Sequence, residues 1–286
     1  MKSKISLLIL SLIISIVACK KTDTTDSTIS LQTNYTNVAY GTDPSQVMDV
    51  YLPPNRSIAN TNVLIMIHGG GWNSGDKTDF AAFIDTIQTR FPTYAIFNIN
   101  YRLANGILNL FPTQENDVRS AVAFIYSKKV SYKISDNYAI LGASAGAHLA
   151  LLEAYKDTTP IRMKTVIDFF GPTDMAAMYN DPAIPGGDIP ILAVMGTTPL
   201  LDSLLYAQSS PINFVTPRVT PTIILHGGSD IIVKHEQSDS LFAHLDSANV
   251  AAAYVLYPTQ NHGWTNTDTL NNSFNNIQAF VNAHMP

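Results

Sequence analysis

The sequence predicts an α/β protein with a mainly parallel sheet. Two observations carry that expectation. From residue 35 onward, strand-like apolar segments alternate with segments of helical spacing. Two of the strand-like segments, 63–67 and 94–101, are near-continuous apolar runs, as expected of strands buried on both faces. Taken in order, residues 35–40 and 47–52 read as an antiparallel hairpin with a turn at Gly41-Thr42-Asp43-Pro44. The run 63–67 is the next strand. Residues 79–90 have helical spacing and lead into the strand 94–101. A helix at 115–127 and a strand at 138–141 follow, and Ala147-His148-Leu149-Ala150-Leu151-Leu152 are helix formers. Further strands are expected at 166–170, 222–225 and 252–257, with helices at 238–247 and 273–284. Residues 175–207, rich in Met, Pro and Gly, interrupt this order. They read as a cap or lid insertion within a single domain spanning 35–286. Met175, Met178, Tyr179, Ile191, Leu192 and Met195 of that insertion are expected to wall an apolar pocket.

The chain has 286 residues, room for one large or two small domains, and shows no internal repeat. Hydrophobic residues make up 46% and charged residues 14%, enough apolar content for a sizeable core. Net charge is -5, and no basic run exceeds Lys20-Lys21, which argues against nucleic acid as a partner.

Residues 1–18 have the pattern of a signal peptide. Lys2 and Lys4 are followed by an apolar run from 5 to 18, shorter than the roughly 20 residues that span a bilayer as a helix. The run ends in Ile16-Val17-Ala18-Cys19. Cys19 is the only cysteine, so a disulfide within the chain and a thiolate metal cluster are both excluded. The segment resembles the lipobox of bacterial lipoproteins. That resemblance implies lipidation of Cys19 and a lipid-anchored place in the bacterial cell envelope, on its periplasmic or cell-surface side. Residues 19–34 are rich in Lys, Thr, Asp and Ser and read as a flexible tether.

The chemistry centres on Gly142-Ala143-Ser144-Ala145-Gly146. An apolar strand precedes it and helix formers follow, so Ser144 lies at a strand-to-helix turn. There its hydroxyl stands above the sheet edge, at a helix N-terminus that favours developing negative charge. A serine hydroxyl is a weak nucleophile and needs a base, an orienting acid and donors for an oxyanion. Strand 63–67 runs into His68-Gly69-Gly70-Gly71-Trp72, whose consecutive glycines allow backbone N–H groups to approach a carbonyl oxygen. Gly70 and Gly71, with the N–H of Ala145, are the candidate oxyanion-hole donors. A phosphate loop is the competing reading of those glycines, but no Gly-Lys-Ser/Thr follows. Strand 222–225 runs into His226-Gly227-Gly228-Ser229-Asp230, and strand 252–257 leads to Gln260-Asn261-His262-Gly263-Trp264. His262 is the candidate base and Asp230 the candidate acid, with Asp174, also after a strand, as its rival. The order Ser144, Asp230, His262 suits this kind of sheet. His148, one helical turn past Ser144, reads as a packing residue. His68 and His226 close their strands and read as structural hydrogen-bonders. Trp72 and Trp264 are candidates for the substrate pocket, with buried packing as the alternative. The histidines are scattered and no His-Glu-x-x-His occurs, so no metal site is expected.

With these motifs the chain resembles the α/β-hydrolase superfamily. The nearest resemblance is to its esterase branch with His-Gly-Gly-Gly-Trp ahead of the serine turn, which includes hormone-sensitive-lipase-like, feruloyl and acetyl-xylan esterases. Tyr101-Arg102-Leu103 and Gly171-Pro172-Thr173-Asp174 also look like this branch. Ala147 departs from it, standing where many relatives place a second glycine. The resemblance covers about residues 45–285. It implies a cofactor-free carboxylic-ester hydrolase with Ser144, Asp230 and His262 as a triad, acting on a small-molecule or polysaccharide-linked ester. An arylformamidase-like amidase and a catalytically silent surface binding protein on the same fold are the alternatives.

Overall fold

The computed structural model describes residues 30–156 and 158–285. The expected signal peptide, Cys19 and the tether up to residue 29 lie outside the described residues.

Strand periodicity divides the apolar side chains between two cores. In the central strands, Val63, Ile65, Ile67, Tyr138 and Ile140 point to one face of the sheet, and Leu64, Met66, Ala139 and Leu141 to the other. Among the described residues eight strands take part: β1 (Thr33–Ala39), β2 (Val47–Leu52), β3 (Asn62–Ile67), β4 (Tyr94–Ile99), β5 (Tyr138–Ala143), β6 (Thr165–Phe169), β7 (Thr222–Gly227) and β8 (Ala252–Tyr257). Their order in the sheet is β1-β2-β4-β3-β5-β6-β7-β8. β1 and β2 pair antiparallel, as do β2 and β4, and all other pairs are parallel. The expected mainly parallel sheet and its N-terminal hairpin are therefore present.

Among the described residues nine α-helices flank the sheet: α1 (Ile84–Arg90), α2 (Thr113–Ser127), α3 (Lys129–Tyr132), α4 (Ala145–Lys156), α5 (Met175–Asn180), α6 (Ile189–Met195), α7 (Ser203–Gln208), α8 (Glu236–Ser247) and α9 (Thr267–His284). Ile84 and Ile87 of α1 and Phe274, Ile277 and Val281 of α9 fill one face, while residues of α2, α4 and α8 fill the other. From Ala145 to Tyr155 every residue of α4 is buried, so this Ala- and Leu-rich helix lies inside the protein. Among the described residues, no helix is long and apolar enough to cross a membrane.

The structure differs from the expected elements in three places. Residues 30–34 are docked rather than free: β1 starts at Thr33, and the Ser30 carbonyl accepts from Asn55 N–H at 2.7 Å. Residues 79–90 are not one helix. A 3-10 turn over Lys77–Phe83, capped by Asp76 accepting from Thr78 N–H with Asp79 reaching back, precedes α1. The segment 175–207 holds the short helices α5 and α6 and most of α7. Its Met175, Ile191 and Met195 are buried in the same core as α4.

Candidate active site

The C-terminal ends of β3, β5, β6, β7 and β8 meet along one edge of the sheet, and the expected residues follow those ends. Ser144 comes directly after β5, in the left-handed region at φ 54°, which costs a residue bearing a Cβ. The turn is held at both ends. Ser144 N–H donates to the Phe169 carbonyl at 2.8 Å, and the Ser144 carbonyl accepts from His148 N–H at 3.1 Å. The glycines follow from close approach. A Cβ on Gly142 would lie 2.2 Å from the Gly146 backbone, and one on Gly146 would lie 2.1 Å from the Ile67 carbonyl oxygen.

His262 is reached after β8. Its Nε2 lies 2.9 Å from Ser144 Oγ and its Nδ1 lies 2.7 Å from Asp230 Oδ2. Asp230 Oδ1 accepts from Ile232 and Val233 N–H, at 2.8 and 2.9 Å. Asp230 Oδ2 is also 3.2 Å from His226 Nε2. That nitrogen faces a second acceptor, the Val233 carbonyl at 2.9 Å, so it carries the proton. His226 Nδ1 then accepts from Ser238 Oγ at 2.6 Å. Burial alone would raise the Asp230 pKa. Hydrogen bonds from His226 and His262, the attraction of His262 and the Ile232 N–H outweigh burial and hold the carboxyl well below the usual range. Ionised Asp230 keeps the proton of His262 on Nδ1 and leaves Nε2 bare toward the serine. Asn261 ties the two loops together, its side-chain oxygen accepting from Ile231 and His262 N–H.

The rival acid is elsewhere. Asp174 caps α5, accepting from Ala177 N–H at 2.9 Å, and its own N–H donates to Gln237. The glycine loop after β3 runs beside the serine: a Cβ on Gly69 would lie 3.3 Å from Ser144 Cβ. Gly70 and Gly71 follow with φ of 99° and 57°. Ala145 opens α4, where N–H groups have no partner within the helix.

Two expectations about the pocket are corrected. Trp72 does not line it. The ring is 2% exposed, and its N–H is taken up by His148. The insertion does not wall it either, because its buried methionines and Ile191 pack into the core. Met178 and Tyr179 pack against that core, and Leu192 points outward. A cavity of about 420 Å³ instead opens beside His262 on the α1 and α9 face. Its aromatic wall comprises Phe80, Phe83, Phe169, Phe170, Trp264 and Phe274. Trp264 lines this cavity, with its Nε1–H on Ser273 Oγ. Phe170, at φ 45°, sets its ring 4.6 Å from the His262 ring. The sequence signal for this wall was the pair Phe169-Phe170 at the end of β6, on the same edge as Ser144.

A family model described as BD-FAE matches residues 48–245, more than half of the chain. The chain belongs to the BD-FAE family. It is also 24% identical over 240 residues to esterase LipC of Mycobacterium tuberculosis, covering 79% of this chain and 59% of LipC. Over 132 residues it is 33% identical to kynurenine formamidase avaC of Aspergillus versicolor, covering 41% of this chain and 45% of that protein. A solved structure described as a truncated form of carbohydrate esterase from gut microbiota superposes with a TM-score of 0.76. That match has 25% identity and covers 91% of this chain and 98% of the other. This BD-FAE chain has the α/β-hydrolase fold, and it spans about half of each of the two curated relatives named.

Proposed function

We propose that this protein is a serine hydrolase that cleaves carboxylic esters through an acyl-enzyme. The observation that carries the reading is the unbroken line of hydrogen bonds from Ser144 Oγ through His262 to Asp230, at 2.9 and 2.7 Å. Ser144 Oγ attacks the ester carbonyl carbon while His262 Nε2 takes its proton. The negative oxygen forms beside the N–H groups of Gly70, Gly71 and Ala145. His262 returns the proton to the departing alcohol, leaving Ser144 acylated. Water, deprotonated by the same nitrogen, then releases the acid.

The aromatic cavity beside His262 supports a substrate with a bulky, flat apolar group, such as a hydroxycinnamoyl ester of a plant-wall sugar. Acetylated xylan is the smaller alternative. The names of the relatives, an esterase and a carbohydrate esterase, support ester cleavage. The likeness to a kynurenine formamidase keeps amide cleavage as the second reading, because a flat aromatic leaving group would suit the same cavity.

A fluorophosphonate probe tests the reaction class: labelling at Ser144 is expected, and its absence would indicate a binding protein on a hydrolase fold. A panel of p-nitrophenyl acyl esters, feruloyl esters, acetylated xylan and N-formylkynurenine tests the substrate. Feruloyl esters are expected to lead, and Phe170→Ala should erase that lead by roughly tenfold, since such contacts are worth about 1–3 kcal/mol.

Cell-envelope anchoring through lipidated Cys19 belongs to the same proposal and rests on residues 1–19 alone. Cys19→Ser should release the protein from membranes without changing kcat on a soluble ester. A variant that still pellets with membranes refutes the anchor.

A further inference from the structure

Three successive residues of the glycine loop, Gly70, Gly71 and Trp72, have positive φ, at 99°, 57° and 62°. Glycine tolerates that region and tryptophan does not, so something must hold Trp72 there. Its carbonyl accepts from Ala104 N–H at 2.9 Å, and Tyr101 Oη donates to the Gly69 carbonyl at 3.1 Å. These bonds fix the backbone on either side of Gly70 and Gly71. The Trp72 side chain has a separate anchor in His148.

The indole Nε1–H donates to His148 Nδ1 at 3.1 Å, with the rings edge to face at 5.2 Å. An indole N–H can only donate, so His148 Nδ1 is bare and the proton sits on Nε2. That nitrogen donates to the Ser209 carbonyl at 2.7 Å. A single neutral tautomer satisfies both partners. Burial drives the His148 pKa down to about 4, with the Ser209 carbonyl opposing and the Lys156 charge assisting. Ser209 is itself fixed at the end of α7, its N–H on Leu205 and its hydroxyl on Tyr206. The His148 backbone N–H, in turn, holds the Ser144 carbonyl at 3.1 Å.

We propose that His148 is a positioning residue for the oxyanion hole, setting the Gly70 and Gly71 amides against Ser144 through its hold on Trp72. The nucleophile, directly before α4, and the latch of its oxyanion loop, in the first turn of α4, then lie one helical turn apart, and the end of α7 braces that latch from behind. The inference rests on the serine-hydrolase reading above and adds a role that reading does not contain.

The test compares wild type with His148→Leu, His148→Gln and Trp72→Phe, after confirming that wild type takes a fluorophosphonate label. The measurements are kcat and KM on a p-nitrophenyl ester, Ki for phenylboronic acid as a tetrahedral-adduct former, and Tm. Loss of loop position should lower kcat by about 10–100-fold in His148→Leu and Trp72→Phe, leave KM within about threefold, and raise the boronate Ki in parallel. His148→Gln should recover most of the loss, because its side-chain oxygen can accept from the indole and its nitrogen can donate to Ser209. A residue that only packed would move Tm and leave kcat and Ki alone.

If His148→Leu fails to fold, Trp72→Phe, which keeps an aromatic ring and removes the donor with part of the ring's volume, decides the matter, its Tm reporting the lost packing separately. A labelled wild type whose folded Trp72→Phe and His148→Leu variants keep normal kcat overturns the inference alone. A wild type that takes no label overturns the serine-hydrolase reading and this inference with it.

Discussion

Replacing Asp230 with asparagine removes one negative charge and one acceptor at almost constant volume, and the structure shows why neither amide orientation can compensate. The carboxylate has four donors around it: His262 Nδ1 and His226 Nε2 at one oxygen, Ile232 and Val233 N–H at the other. If the Asn oxygen stays on the two backbone amides, its NH₂ faces His226 Nε2–H, donor against donor. The same NH₂ forces His262 Nδ1 to accept, so the ring proton moves to Nε2 and Ser144 loses its base. If the amide turns over, the NH₂ meets two backbone N–H groups instead. The expected result is a loss of about 10³–10⁴ in kcat/KM, equivalent to about 4–5.5 kcal/mol at 1.36 kcal/mol per decade. Asp174→Asn is the control. Asparagine caps a helix as well as aspartate does, so that variant should stay within about twofold of wild type. The assay is kcat/KM on p-nitrophenyl acetate, with Tm measured on each protein. If Asp230→Asn kept more than about a tenth of the activity while Asp174→Asn lost it, the acid would be Asp174 and the tautomer argument would be wrong.

Ser144→Ala and His262→Ala should each lower kcat by about 10⁴–10⁶, and the double variant should be hardly worse, because the two act as one unit; additive losses in a kinetic cycle would contradict this. Gly146→Ala must push its new Cβ against the Ile67 carbonyl oxygen, 2.1 Å away, and should lower Tm by about 6–12 °C. An unchanged melting curve would show that the elbow and β3 are less closely packed than the structure has them. Burial raises the pKa of Asp168, on β6, to about 7, with the Gly171 N–H and His226 opposing. The folded protein then holds a proton that the unfolded chain gives up near about pH 4. Stability from this group is full below that pH and is lost as pH rises toward about 7. Asp168→Asn removes the titration, so its Tm relative to wild type should climb across that window, and thermal melts giving a constant difference would refute the assignment.

The strands and the Ser144–His262–Asp230 cluster were legible because each is a local signal. A buried strand is a short apolar run, and each of these polar residues follows such a run by a few positions. The helix that reads as 79–90 failed at its first turn because Asp76 and Asp79 satisfy each other in a 3-10 geometry, which spacing alone does not distinguish. The insertion's methionines read differently from where they lie, for another reason. Methionines in an irregular segment look available for binding, yet Met175 and Met195 are drawn under by the apolar surface of the α4 side of the sheet. The aromatic cavity beside His262 is assembled from Phe80, Phe83, Phe169, Phe170, Trp264 and Phe274, and no local pattern links segments so far apart. His226 and His148 could be named as strand-end and helix residues, but their roles come from tautomers that only their partners decide.

The outermost strand has a consequence for how copies of the protein behave together. β1 forms one margin of the sheet, and its pairing with β2 slips between Tyr35 and Val38, where Asn37 takes φ 54°. A free margin of a sheet is a template on which another chain can add a strand, the first step toward aggregation. Here that template is broken in the middle by a bulge and lined with exposed Thr, Asn and Tyr side chains. An incoming strand could not keep register past Asn37. The irregularity thus guards this margin of the sheet against edge-to-edge stacking when many copies are crowded together, and leaves the opposite margin, β8, as the one where such stacking could start.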